Sequence, residues 1–443
     1  MFSILIKGAT VVNEGYRHVK DVLIKDGRIA RIEDHIHTYE NVKEINADGL
    51  YLLPGVIDDQ VHFREPGLTH KANIAFEARA AVAGGTTSFM EMPNTNPPAV
   101  TQQLLEDKYT IAANTSVGNY SFFMGVSNSN ADEVLRTNSR KQDVCGVKIF
   151  MGSSTGDMLV DNYMTLTKIF SESELLIATH CENENIIKAN KEKYPDADNV
   201  SFHPLIRDVE ACFESSFAAV QLAKKHNSRL HILHISTAKE LQLFSNMLPL
   251  EEKRITNEVC VHHLHFTADD YPRYGNLIKC NPAIKAPENR KALWEALHDD
   301  RLDIIATDHA PHTWEEKQQP YQSAPSGVPL VQHSLLLMLQ YVKDGSITIE
   351  RVVDKMCHAP AKCFQIKERG YIREGYHADL VLVDMNEAYT VTKQNILYKC
   401  GWSPFEGHQF PASVHTTFIN GQIAYENGVV NDTIRGERLK FDR

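Results

Sequence analysis

LLIATH (Leu175–His180), VEACFESSFAAVQLAKKHN (Val209–Asn227) and RLHILH (Arg229–His234) follow one another along the chain and decide its fold class. Two short apolar runs, each closing on a histidine, bracket a stretch that is apolar at about every third or fourth position. That is the pattern of strand, amphipathic helix, strand. Working outward, the same unit recurs. Upstream lie LPGVIDDQVH (Leu53–His62), TTSFMEM (Thr86–Met92), NYSFFMGV (Asn119–Val126) and CGVKIF (Cys145–Phe150); downstream lie ITNEVCV (Ile255–Val261) and LDIIATDH (Leu302–His309). Helical patterns such as HKANIAFEARAAVAGG (His70–Gly85) and ENRKALWEALHDD (Glu288–Asp300) separate them. Eight β runs alternating with helices predict an α/β protein built on a (β/α)8 TIM barrel over 54–365.

The two ends of the chain read differently. ILIKGATVV (Ile4–Val12) and DVLIKDGRIARIED (Asp21–Asp34) are strand-like, with Asp26-Gly27 as a hairpin turn. GYIREGYHADLVLVD (Gly370–Asp384) and VHTTFINGQIAYENGVV (Val414–Val430) look alike, with Asn420-Gly421 as the turn. We expect residues 1–53 and 366–443 to form one small β-sandwich domain built from both termini.

Composition narrows the function. Of 443 residues 23% are charged, and 46 Lys and Arg against 57 Asp and Glu give a net charge of −11. An acidic chain of this kind argues against a nucleic-acid or anionic-membrane surface as its main partner. No apolar run approaches the ~18 residues of a spanning helix, and no export signal is evident, so a cytoplasmic protein is expected. The 8 cysteines include no C-x-x-C pair and read as reduced and packed.

In a barrel the chemistry gathers at the C-terminal ends of the strands. The first run ends in Gln60-Val61-His62, followed by Phe63-Arg64; the fourth carries Lys148, the fifth ends at His180, the sixth at His234, and the eighth reaches Asp308. Alternation puts Asp58, Gln60, His62 and Arg64 on one face and turns Asp59 away. A lone histidine closing a strand is more often a hydrogen-bonded core residue than a ligand. His231 reads that way, as do most of His262, His263 and His265. Three histidines, a lysine and an aspartate at the same end of five strands are harder to explain as packing. Imidazole and carboxylate suit Zn²⁺, whose bound water ionises near neutral pH. A lysine inside such a ring invites carbamate formation with CO₂, which turns an amine into a bridging carboxylate.

These residues resemble the amidohydrolase superfamily and, more narrowly, the dihydroorotases. The resemblance spans essentially the whole chain. Its most specific segments are DDQVHFREPG (Asp58–Gly67) and MPNTNPP (Met92–Pro98), joined by ATHCEN (Ala178–Asn183), HILHIST (His231–Thr237), KCNPAIK (Lys279–Lys285), TDHAPH (Thr307–His312) and SPFEG (Ser403–Gly407). It implies a hydrolase interconverting dihydroorotate and N-carbamoyl-L-aspartate in pyrimidine biosynthesis, with one or two Zn²⁺ ions. His62, Lys148, His180, His234 and Asp308 match the metal-ligand positions. Lys148 matches a carboxylated bridging lysine, and Asp308 also matches the general acid/base. Arg64 and Asn94, with His312, match positions that hold the substrate carboxylate, and Asn281 is a ring contact. Thr313–Gly327 reads as a mobile polar loop at the mouth, with the Ala324–Gly327 backbone near the ring. A homodimer is also expected on this resemblance.

One position departs. The family's first strand carries His-x-His, and here Gln60 stands where the first histidine belongs. An amide oxygen is a weak Zn²⁺ ligand. The sequence leaves three outcomes open: two metals with Asp58 or water compensating, one metal, or an inactive chain acting as a scaffold for aspartate transcarbamoylase. Hydantoinase or allantoinase activity is a further alternative, against which Arg64 and Asn94 speak.

Overall fold

The computed structural model describes residues 3–37, 42–152 and 158–443. Its centre is a ring of parallel strands. Val56–Val61, Thr86–Glu91 and Asn119–Phe122 pair in that order. Met124–Gly125, Val147–Met151, Ile177–Cys181, Leu230–Ile232, Ile255–Cys260 and Ile304–Ala306 continue it. The third apolar run is therefore broken into two short pieces, and the seventh is a regular strand. The ring closes where Val61 bridges His309 in parallel and the His62 N–H donates to the His309 carbonyl at 2.7 Å. The result is a TIM barrel.

Helices fill the intervals where apolar spacing and caps coincide. Val209–His226 starts on Asp208, whose side chain accepts from the Ala211 N–H, and ends on Asn227 in the left-handed conformation at φ 54°. Ile74–Ala83 starts on Asn73, which accepts from the Phe76 N–H. Inside the barrel, Ile57, Met90, Phe123, Leu176, Leu233 and Ile304 form an apolar floor, closed from below by Phe364.

Both chain ends enter one nine-stranded, mostly antiparallel sheet. The junction is Tyr51–Pro54 against Leu380–Asp384, with Leu380 opposite Pro54. Ile4, Ile6, Val22, Ile24, Leu52, Leu380, Leu382 and Phe418 form its buried core. The expected hairpin turns are both present. Asp26 and Gly27 have φ 51° and 82°, and Asn420 and Gly421 have φ 48° and 75°, the paired positive values of a tight two-residue turn. The two turns also touch, because a Cβ on Gly421 would lie 2.7 Å from the Gly27 Cα.

No helix among the described residues is long and apolar enough to cross a membrane.

Candidate active site

At the C-terminal mouth of the barrel lies a cavity of about 260 Å³. Gln60, His62, Arg64, Asn94, Lys148, His180, His234, Asn281, Asp308 and His312 all line it. Each of the residues singled out for chemistry thus reaches one space. Asp58 does not line it: the strand register shifts between Asp58 and Val61, and the Asp58 carboxylate accepts instead from the Thr307 hydroxyl at 2.6 Å. Three lining residues occupy the left-handed region, Arg64 at φ 69°, His234 at 40° and Asp308 at 49°. Side chains other than glycine rarely adopt it, and such strain concentrates where function fixes geometry.

One wall holds His180, His234 and Lys148. Glu182 accepts from His180 Nε2 at 3.0 Å, which leaves Nδ1 of that ring as a lone pair. This lone pair meets His234 Nε2 at 3.0 Å. Burial alone would raise the Glu182 carboxyl, but Arg207 and His180 draw it down to about 2. It is therefore a fixed anion orienting the ring, as a carboxylate behind a metal-bound imidazole does. Burial holds His234 well below the usual imidazole range. Lys148 is 1% exposed, and desolvation lowers its amine to about 7. A buried ammonium without a carboxylate partner is costly, so near neutrality much of this amine is uncharged. That is the form that attacks CO₂.

The opposite wall centres on Asp308. Its Oδ1 lies 3.0 Å from His62 Nε2 and accepts from Gln60 Nε2 at 3.1 Å. The Cys260 thiol approaches Gln60 Oε1 at 3.7 Å. His62 Nδ1 meets the Asn94 side chain at 2.8 Å.

Above these walls Arg64 is buried. Its Nε donates to the Pro311 carbonyl at 3.1 Å and Nη2 lies 3.1 Å from His312 Nε2. Desolvation lowers the guanidinium to about 10, so it remains a cation at neutral pH. Asn281 accepts from His203 Nε2 at 3.0 Å.

Several supports were not read from the sequence, His231 excepted, which reads there as a hydrogen-bonded core residue and is one. A buried Lys108–Glu91 pair at 2.9 Å ties the first two strand ends together: Glu91 Oε1 accepts from the Phe63 N–H at 2.9 Å and Lys108 donates to the Met92 carbonyl at 2.9 Å. It thereby sets the backbone leading into Arg64 and Asn94. Beneath the cavity Asp59, His231 and Glu258 form a fully buried network, with His231 Nε2 at 3.3 Å from Asp59 and 3.1 Å from Glu258. Glu258 Oε1 also accepts from the His234 N–H at 3.2 Å. The only sequence trace of these groups is a charged residue inside an otherwise apolar run or helix face.

The loop at the mouth is anchored. It contains the helix Trp314–Lys317, and buried Lys317 Nζ donates to the carbonyls of Lys279, Pro325 and Gly327 at 3.2, 3.0 and 2.8 Å. Pro325, Ser326 and Gly327 line the cavity as a result.

The donor set suits a divalent cation. Neutral imidazoles, a lysine convertible to a carboxylate, and Asp308 are the hard-to-borderline ligands that Zn²⁺ takes. Two further clusters of ligand-type side chains lie among the described residues, Cys260–His262–His263 and the Asp59–His231–Glu258 network, each with ligand atoms within 4.8 Å.

Comparison with known proteins agrees with this architecture. The model of the amidohydrolase family matches residues 51–424. The dihydroorotase of Halobacterium salinarum is 33% identical, with 94% of this chain and 98% of that protein covered. The allantoinase of Deinococcus radiodurans is 30% identical, covering 99% and 98%. Among solved structures, L-hydantoinase (dihydropyrimidinase) from Arthrobacter aurescens superposes with a TM-score of 0.90 at 27% identity, covering 97% and 98%. With the barrel, the cavity and the matched length in agreement, the chain belongs to the amidohydrolase family.

Proposed function

We propose that this protein is a dihydroorotase, interconverting (S)-dihydroorotate and N-carbamoyl-L-aspartate in pyrimidine biosynthesis. The observation that carries the reading is the buried Arg64 guanidinium in the same cavity as Lys148, His180, His234 and Asp308. A buried cation needs an anion, and none of its hydrogen-bond partners above is one. A substrate carboxylate satisfies it through paired N–H bonds, with Asn94 and His312 as further polar contacts. Hydantoin and allantoin lack that carboxylate. Retention of every one of these groups in one cavity also speaks against a scaffold without chemistry.

Lys148, as its N6-carboxylate, with His180 and His234 would hold Zn²⁺, within reach of His62 and Asp308. When bound there, the ion polarises an amide carbonyl and acidifies water. The protein's own groups do the rest. Arg64 fixes the ring by its carboxylate. Asp308 accepts a proton from the attacking water as the carbon–oxygen bond forms. As the ring carbon–nitrogen bond breaks, it passes that proton to the departing nitrogen. In the synthetic direction Asp308 instead takes the proton from the carbamoyl nitrogen. The anchored loop keeps the Ser326 and Gly327 backbone over the ring.

Purified protein should hydrolyse dihydroorotate, lose this on chelation and regain it with zinc, while hydantoin and allantoin turn over far more slowly. Faster turnover of either of those would overturn the reading. Arg64→Met should raise KM for dihydroorotate by about tenfold to a hundredfold, the scale of one lost charge-assisted bond set. An unchanged KM would remove Arg64 from the site.

A further inference from the structure

We infer that Gln60 is a positioning residue for Asp308 and that the chain holds a single metal ion, on the wall formed by Lys148, His180 and His234. The inference rests on the role proposed above for Asp308. It follows from a count of donors and acceptors. A carboxylate can only accept, so the group that Gln60 turns to Asp308 Oδ1 at 3.1 Å is its NH₂. On the other side the amide oxygen receives the Cys260 thiol at 3.7 Å. Both ends of the amide are thus assigned, and it offers the cavity hydrogens and not a lone pair.

The same oxygen of Asp308 lies 3.0 Å from His62 Nε2. Oδ1 therefore has two nitrogen neighbours at hydrogen-bonding distance, and the Gln60 NH₂ is a donor to it whichever ring nitrogen of His62 carries the proton. A cation seated between His62 and Asp308 would face the Gln60 NH₂ and would have to displace its bond to Oδ1. Turning the amide over would give the ion only a weak oxygen ligand and would cost the Cys260 contact. Asp308 Oδ2 takes neither bond. It is the oxygen left to face the reactants. The opposite wall presents no such donor amide: His180 Nδ1 and His234 Nε2 meet at 3.0 Å, and the Lys148 amine has no hydrogen-bond partner among the described residues and lies 4.5 Å from the Phe150 ring. An ion displaces only the imidazole–imidazole contact there, and the Gln60 amide donor stands across from it. Gln60 thus does two things at once, fixing which carboxylate oxygen works and occupying the space of a second ion.

The test is metal content after saturation with zinc and dialysis, read beside dihydroorotate kinetics. The unsubstituted chain should carry one ion. Gln60→Ala should still carry one, with kcat reduced by about tenfold to a hundredfold, the lower range for loss of one aligned donor, and KM within about twofold. Gln60→His, which supplies a ligand nitrogen, should raise the content towards two. Two ions in the unsubstituted chain, less than one in Gln60→Ala, a single ion in Gln60→His, or a Gln60→Ala effect confined to KM would each overturn the inference. Should Gln60→Ala fail to fold, the count on the unsubstituted chain decides alone. Metal counts need no substrate. One ion in a chain that ignores dihydroorotate would therefore sink the proposed function and leave the single-ion assignment standing.

Discussion

Lys148→Ala should remove bound metal and hydrolytic activity together, by at least about three orders of magnitude in kcat/KM, since Lewis-acid polarisation and water activation are lost at once. The lysine is 1% exposed on a barrel strand, so truncation also leaves a gap beside His180 and His234. Lys148→Met, which fills that gap without an amine, separates the two effects: it should fold normally and still bind no metal. A metal-replete, active Lys148→Met protein would exclude the carbamate. The lowered amine pKa adds a pH dependence. Desolvation brings Lys148 to about 7, and only the neutral amine takes up CO₂. Below pH 7 the ammonium predominates and above it the amine does. Reactivation of metal-stripped protein by zinc, with dissolved CO₂ held at one concentration across the pH range, should therefore quicken as pH rises through about 7 and level off above. A rate that fell over this interval would contradict the assignment.

Asp308→Asn should lower kcat by about 10²- to 10⁴-fold, the range of a general acid–base contribution, while leaving KM within a few-fold and the metal in place. The amide keeps the size of the carboxylate but cannot carry the proton from water to nitrogen. Its carbonyl oxygen can take the Oδ1 position and still accept from Gln60 at 3.1 Å, beside His62 at 3.0 Å, so that wall is kept. Loss of metal along with kcat would make Asp308 chiefly a ligand, and near-normal turnover would exclude it as the proton carrier.

The site was legible in the sequence because several polar residues at the same end of different strands, unlike a single one, are hard to explain as packing. His180, His234 and Asp308 stood out at the ends of apolar runs and Lys148 as a lysine inside one, and all of them reach the cavity. What stayed hidden were groups whose partners come from far along the chain. Glu182 follows His180 by two residues, yet its role depends on Arg207. Glu91, inside an apolar run, and Lys108, on a helix, show no sign of one another until the fold buries both. Lys317 sits in a stretch that reads as polar and mobile, and only its three carbonyl partners make it an anchor. Asp58 escaped through backbone geometry, since strict alternation places it with Gln60 and His62 while the register shift turns it to Thr307. Periodicity reports which face a side chain takes. It does not report which distant segment arrives there.

The sheet shared by both chain ends has a consequence for the order in which the molecule takes shape on the ribosome. Tyr51–Pro54 finds its antiparallel partner only in Leu380–Asp384. At ~5–20 residues per second, the first strands wait on the order of tens of seconds for that partner to emerge. During that interval the edge at Tyr51–Pro54 is open, with Leu52 and Leu53 still uncovered. Such an edge is a template for pairing with a neighbouring nascent chain. The barrel, made entirely within the interval, can form first and hold Tyr51 and Leu380 close, so that the last sheet contact is a short-range docking step instead of a search. Substitutions that slow barrel closure should therefore appear first as aggregation during synthesis, with the finished protein little changed.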